Sequence, residues 1–296
     1  MKIEEIDAIS YKNNTPKEVK ENVVQDETIT LTINNNISRS LSAIEDSLKE
    51  FAVGYMFNEN MVDSLDAIKD IKIEGNQIYA EIDDTLLKTN ETVLCSDSAG
   101  GWRSKIKTVK EVESDFQVSV HELIDRIEEL KDNAEIWQAT GGTHVAGIVY
   151  KDQFIVKEDV SRHVAVDKVI GYGLLHDFDL SNSYVIYSGR MPADMVIKMT
   201  RVGVPILASN AAPANSGYNI AKKGNVTLVG FLRGERCNVY NNQNRVIFDW
   251  NYSNTVCLAF KSLSVWCIFS INSETIASKN TRVVNSKAVP KGVKEV

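Results

Sequence analysis

The strongest constraint on how this chain can fold is a rhythm in its second half, where short apolar runs alternate with helical stretches. Apolar runs at 184–187, 204–208 and 226–232 predict strands, and helical patterns at 158–175, from Pro192 to Gly203 and from Pro213 to Gly224 separate them. Proline suits the first turn of a helix and glycine its end, so the punctuation agrees with the pattern. Strands linked by helices in this way predict a parallel sheet with helical crossovers.

The first half reads differently. The first 25 or so residues are polar and extended. Thr28-Ile-Thr-Leu-Thr-Ile then alternates small polar with aliphatic residues, the period of a half-buried strand. Asn34-Asn35-Asn36 signals a turn into a second short strand at 37–41. Over 45–57, Leu48, Phe51, Ala52, Tyr55 and Met56 recur at helical spacing. The stretch 71–82 reads as a hairpin turning at Gly75-Asn76. Ser119 followed by Glu122 is a capping-box signature for a helix that joins the two halves. Two short strands follow Gly141-Gly142, at 145–150 and 154–156.

Composition narrows the class. The chain has 296 residues, 43% hydrophobic and 25% charged, an ordinary globular balance. Its 33 basic and 40 acidic residues give a net charge of −7, against a nucleic-acid partner held by phosphate charge. Four cysteines do not make a disulfide scaffold. Acids interrupt the N-terminus where a signal peptide would be apolar, and the most apolar stretch, 256–271, contains Lys261 and three serines. The expectation is a cytoplasmic protein with reduced cysteines and no membrane association.

Three segments fall at the predicted carboxyl ends of strands, where open α/β sheets bind ligands: Ser188-Gly189-Arg190, 209–213, and Arg233-Gly234-Glu235-Arg236. Ser188 and Gly189 precede a helix start, where backbone N–H groups favour an anion, and Arg190, Arg233 and Arg236 add positive charge. Together they point to a phosphate-bearing ligand. The segment 158–168 is dense in ionisable groups. On a helix, Asp159, His163 and Asp167 would share a face and Glu158 would pair with Arg162. His144, just before a strand, reads on its own as structural. Cys95 lies in a Gly- and Ser-rich stretch, 95–102, that could present a thiolate. Cys257 and Cys267 lack companion histidines for zinc. No phosphate-binding Gly-x-x-x-x-Gly-Lys loop, complete Gly-x-Gly-x-x-Gly fingerprint or zinc-deaminase motif is present.

Several strings together resemble a known family. They are Gln138-Ala-Thr-Gly-Gly-Thr-His144, the run from Glu158 to Gly171, Ser188-Gly-Arg190, the run from Thr227 to Arg236, and Val239-Tyr240. With Leu31-Thr-Ile-Asn-Asn and Phe51-Ala-Val-Gly-Tyr-Met-Phe-Asn-Glu, they resemble the formate dehydrogenase accessory sulfurtransferases, the FdhD family, over about 26–247. The resemblance implies an α/β fold: a cytidine-deaminase-like α/β domain (116–247, without its zinc) preceded by a small α+β domain carrying the cysteine loop (26–115). A polar segment (1–25) and an extension with no recognised counterpart (248–296) flank them.

It also implies a sulfur carrier for formate dehydrogenase. Such a protein takes persulfide sulfur from a cysteine desulfurase and passes it to a molybdenum or tungsten bis-guanine-dinucleotide cofactor, which it holds as cargo. Partners would be the desulfurase and the formate dehydrogenase catalytic subunit, with a homodimer as one possible assembly and no structural metal. The family's cofactor loop falls on Phe231, Leu232, Arg233, Gly234, Glu235 and Arg236. Ser188, Gly189, Arg190, His144, Arg162, His163, Asp167 and Lys168 complete the expected binding set, and Cys95 is the expected sulfur carrier. Arg103 and Lys105 nearby would lower its pKa.

The sequence departs from the family's Cys-Gly-x-Cys-Gly loop, because only Cys95 is present. Either Ser98 replaces the second cysteine, or Asp97 takes the nucleophile's place with Cys95 two residues before it. Ser161 and Val164 also replace the family's glycine and asparagine. The alternative reading is a lapsed member that acts as a non-transferring cofactor chaperone. A nucleotide-modifying enzyme on the same scaffold is the weaker third.

Overall fold

In the computed structural model, residues 2–89, 91–94 and 102–248 are described. The polar N-terminus is a hairpin of β1 (Ile3–Lys12) and β2 (Thr15–Val24). It turns at Asn13-Asn14, both at positive φ, where asparagine is tolerated. A four-stranded sheet follows, from β3 (Glu27–Ile33), β4 (Ile37–Ala43), β5 (Ile68–Glu74) and β6 (Gln77–Ile82) in the order β4-β3-β6-β5. The alternation at 28–33 does what its period requires: Ile29, Leu31 and Ile33 are buried and the threonines between them face outward. Helix α1 (Leu48–Asn58) covers the buried face. β7 (Thr92–Leu94) and β8 (Trp102–Ser104) form a short antiparallel pair around residues 95–101.

Beyond it, β9 (Val118–Ser119) leads into α2 (Val120–Asp132) and α3 (Glu135–Thr140). Ser119 caps α2 through the His121 N–H, while Glu122 accepts from the Tyr184 hydroxyl at 2.9 Å. The second half of the expected capping box is thus diverted to a tertiary contact. β10 (His144–Tyr150), β11 (Gln153–Asp159), α4 (Arg162–Leu175), β12 (Ser183–Tyr187), α5 (Ala193–Val202), β13 (Ile206–Ser209), α6 (Asn215–Lys223), β14 (Thr227–Arg233) and β15 (Arg236–Tyr240) complete the larger layer, and β16 (Val246–Ile247) pairs with β9.

The larger sheet has the order β11-β10-β12-β13-β14-β15. β12, β13 and β14 are parallel, as the strand–helix rhythm predicts, but β10, β11 and β15 run antiparallel. The sheet is therefore mixed. The α/β class holds, with a small α+β layer on its N-terminal side. Gly203, at φ 81°, ends α5 as expected.

The two layers meet along α1 and α4. A Cβ on Gly54 would collide with the backbone oxygen of Asp167, and one on Gly171 with that of Glu50. Only glycine lets these two backbones approach so closely. Among the described residues, no helix is long and apolar enough to cross a membrane. Residues 249–296, with Cys257 and Cys267, lie outside the described residues.

Candidate functional site

The predicted charge-rich helix is two structures. β11 runs through Asp159, opposite His144, and α4 begins only at Arg162. Asp159, His163 and Asp167 therefore do not share a helical face. Glu158 does not pair with Arg162: its carboxylate accepts from the Ile136 and Trp137 N–H groups (2.9 and 2.7 Å) and the Thr143 hydroxyl (2.8 Å), tying α3 to β11. Asp159 bonds instead to Lys168 at 2.8 Å, the Ile44 N–H at 3.1 Å and the Ser161 N–H at 3.0 Å.

Asp167 accepts from Lys198 and Asn58, each at 2.6 Å, and lies 3.9 Å from Arg103. His163 Nε2 faces Asp194 at 3.4 Å. Asp159, His163, Asp167, Lys168 and Lys198 are all shut off from solvent. Burial raises the pKa of Asp159 and Asp167 against the pull of their cationic partners, and burial lowers that of Lys198. Of the expected binding set, His163, Asp167 and Lys168 thus have no surface to offer a ligand. Asp167 and Lys168 join the layers instead, through Asn58 and the Ile44 carbonyl.

The three strand-end segments are brought together. The Ser209 hydroxyl donates to the Gly189 carbonyl at 2.6 Å, Met191 N–H to Ala212 at 3.2 Å, and Phe231 N–H to Ala211 at 3.0 Å. Arg162, at the start of α4, packs beside Gly189, its Cδ 3.2 Å from where a Cβ there would stand. His144 Nδ1 lies 3.1 Å from the Ser188 carbonyl. A carbonyl only accepts, so Nδ1 carries the proton of that bond. His144, Ser188 and Asn210 line a cavity of about 280 Å³ with Trp137, Thr143 and Lys131.

One expectation about this crevice fails. Ser188 does not leave its N–H for an anion, because it donates to the Val145 carbonyl at 2.9 Å while its hydroxyl accepts from the Val145 N–H. The first turn of α5 already carries an acid, Asp194. The 231–236 segment lies at the carboxyl end of parallel β14, as expected, and turns there into antiparallel β15, with a register shift between Gly230 and Arg233. Phe231 sits there at φ 54°, a left-handed conformation that costs a bulky residue energy and marks local strain. Arg236 stands 5.9 Å over its ring. Arg233, Gly234, Glu235 and Arg236 are exposed, as is Arg190, whereas Leu232 is buried in the core.

Cys95, Asp97, Ser98 and the glycines after them lie outside the described residues. The two cations expected to assist Cys95 are paired: Lys105 with Glu91 at 3.0 Å, and Arg103, buried, with Glu59 at 3.4 Å. Sequence reasoning missed Glu59, Asn58, Lys198 and Asp194. The available signal was a charge inside an apolar run, as at Lys198 between Met195-Val-Ile and Met199. Among the described residues, no group of three or more His, Cys, Asp or Glu is placed to hold a metal.

The molecule is thus a mixed α/β layer with a strand-end cavity and an arginine-bearing hairpin, joined through a buried ionic seam to a small layer that carries a short loop stem. Comparison with known proteins gives this class a family. Residues 24–247 match the FdhD/NarQ family. The chain is 45% identical over 244 residues to the sulfur carrier protein FdhD of Methanothermobacter thermautotrophicus, covering 82% of this chain and 98% of that protein. It is 29% identical over 250 residues to the protein of the same name from Shouchella clausii, covering 80% and 94%. A crystal structure of a protein designated a formate dehydrogenase accessory protein, from Desulfotalea psychrophila, superposes with a TM-score of 0.69 at 25% identity, covering 83% of this chain and 99% of that one. The chain belongs to the FdhD/NarQ family.

Proposed function

We propose that the protein is a sulfur carrier for formate dehydrogenase. It would move persulfide sulfur from a cysteine desulfurase to a molybdenum or tungsten bis-guanine-dinucleotide cofactor held as cargo. The observation that supports the binding half is the stitching of the three strand-end segments, with a cavity at His144, Ser188 and Asn210 beside the first two and exposed Arg233 and Arg236 on the third. A nucleotide diphosphate is met there by arginines that can bond it in pairs. Arg162 packs beside Gly189 of the first segment, and Arg190 next to it is exposed.

Cys95 carries the transfer half, on the family likeness and its place in the sequence. Its thiolate attacks the outer sulfur of the desulfurase persulfide; a sulfur–sulfur bond forms at Cys95 and the desulfurase cysteine leaves as thiolate. Neither serine nor aspartate can form that bond. Cys237 is a poor alternative, because burial pushes its thiol above 9.0. The reaction takes place in the cytoplasm, where thiols stay reduced. Formate dehydrogenase's catalytic subunit receives the sulfurated cofactor.

The test is intact-mass spectrometry after incubation with a cysteine desulfurase and cysteine, followed by peptide mapping. One added sulfur on the Cys95 peptide, removable by a reductant and absent from C95A, supports the carrier. The single cysteine in the loop favours one other reading, a cofactor chaperone without transfer. No added sulfur on a chain that still binds guanosine diphosphate would select it.

A further inference from the structure

Residues 95–101 fall in the sequence between β7 and β8, which pair over only three residue pairs. A two-stranded ribbon this short does not hold itself in water. What holds it lies beneath β8. Arg103 and Ser104 are 5% and 6% exposed, and both end on the carboxylate of Glu59, itself 4% exposed and one residue beyond α1. Ser104 donates its N–H at 2.5 Å and its hydroxyl at 2.9 Å to Oε2, and Arg103 donates to Oε1 at 3.4 Å. Arg201 of α5 stands 3.9 Å from the same carboxylate. One acidic side chain therefore ties β8, α1 and α5 together just after the cysteine-bearing stretch.

The seam runs on toward the crevice. Arg103 also faces Asp167 on α4, five residues along from Arg162, which packs beside Gly189. Five residues of helix rise about 7.5 Å. The foot of the loop stem and the strand-end crevice are thus set against successive turns of one helix.

We infer that Glu59 is a positioning residue for sulfur transfer, holding, through Ser104 and Arg103, the β7–β8 stem that brackets Cys95 in the sequence. This rests on the sulfur-carrier reading above. Glu59 takes no part in bond making. Its carboxylate satisfies two donors of Ser104 and offsets the buried Arg103, and no neutral side chain of its size does both. Misplacing a reacting group by about 1 Å costs roughly a hundredfold in rate.

The experiment uses the full chain as wild type, E59Q and S104A. Sulfur uptake by Cys95 from a persulfidated desulfurase is followed at increasing donor concentration. Alkylation of Cys95 by iodoacetamide is followed across pH, alongside guanosine diphosphate affinity and the thermal midpoint. E59Q is expected to load sulfur about a hundredfold more slowly at saturating donor. Its iodoacetamide pH profile and nucleotide affinity should match wild type, because the thiol itself is intact and only its presentation is lost. S104A, which removes one hydroxyl bond, should slow loading in the same direction and by less.

Wild-type loading in both variants overturns the inference. So does a joint fall of loading, nucleotide affinity and thermal midpoint, which would make Glu59 a general support of the fold. If E59Q does not fold, S104A decides, and its loading at the wild-type rate overturns the inference. A wild-type chain that takes up no sulfur instead refutes the sulfur-carrier reading.

Discussion

Asp167 and Lys198 meet at 2.6 Å with neither side chain exposed, whereas Arg233 and Arg236 stand exposed on a hairpin turn. Both regions are rich in charge, and their sequence strings look equally suited to a ligand. The difference lies in what surrounds them. In the seam, every charge faces an opposite charge on another element: Lys168 on Asp159, Lys198 on Asp167, Arg103 on Glu59. Such pairs hold layers in one relation, since a wrong packing would strand a charge without water. On the hairpin the arginines keep contact with solvent and can exchange it for phosphate. Charge density in a sequence therefore does not tell a buried seam from an exposed patch; burial does.

The largest expected effect breaks the seam. K198M leaves Asp167 buried with fewer partners and should destabilise the fold by about 3–5 kcal/mol in urea unfolding. Adding D167N in the same chain should recover much of that loss; if K198M alone costs nothing, the seam is not structural. G171A comes next, because a methyl there drives into α1 at the Glu50 carbonyl. It should cost about 3 kcal/mol by the same measurement, and a wild-type urea midpoint would mean that the helices separate freely.

The crevice gives a change of another kind. R236A should weaken guanosine diphosphate binding by about 1.5–3 kcal/mol, read by calorimetry, with stability within about 0.5 kcal/mol of wild type. The smallest effect is in acid. Hydrogen bonds from Ser181 and Asn182 hold the largely exposed Asp179 below its ordinary 3.8. Its contribution to stability is present above that value and is lost as pH falls through the lower native one. The thermal midpoint of wild type should exceed that of D179N near neutrality, and the gap should close below about pH 4. Buried Asp167 has the opposite sign: its raised native value contributes stability at low pH that is lost as pH rises through it.

Much of the fold was legible because it follows local periods. The alternation at 28–33, the turn at Asn34-Asn35, the hairpin at Gly75 and the end of α5 at Gly203 each depend on neighbours in sequence. So did the three strand-end segments. What escaped depends on distant partners. Asp159 looks helical by its spacing to His163, but seven residue pairs with β10 hold it in a strand. The direction of β10 and the existence of β15 are set by the sheet and have no local signature. Lys198 and Asp167 are 31 residues apart on different helices, so no spacing rule joins them. The same reason hid Glu59, whose partners lie 44 and 45 residues away on β8.

The central claim is that the accessible strand-end arginines, and not the buried seam, bind the guanine dinucleotide. Calorimetric titration of guanosine diphosphate into R236A and into the D167N/K198M double variant tests it most directly. The account predicts affinity about tenfold or more weaker in R236A and unchanged in the folded double variant. Wild-type affinity in R236A together with lost binding in the double variant would contradict it.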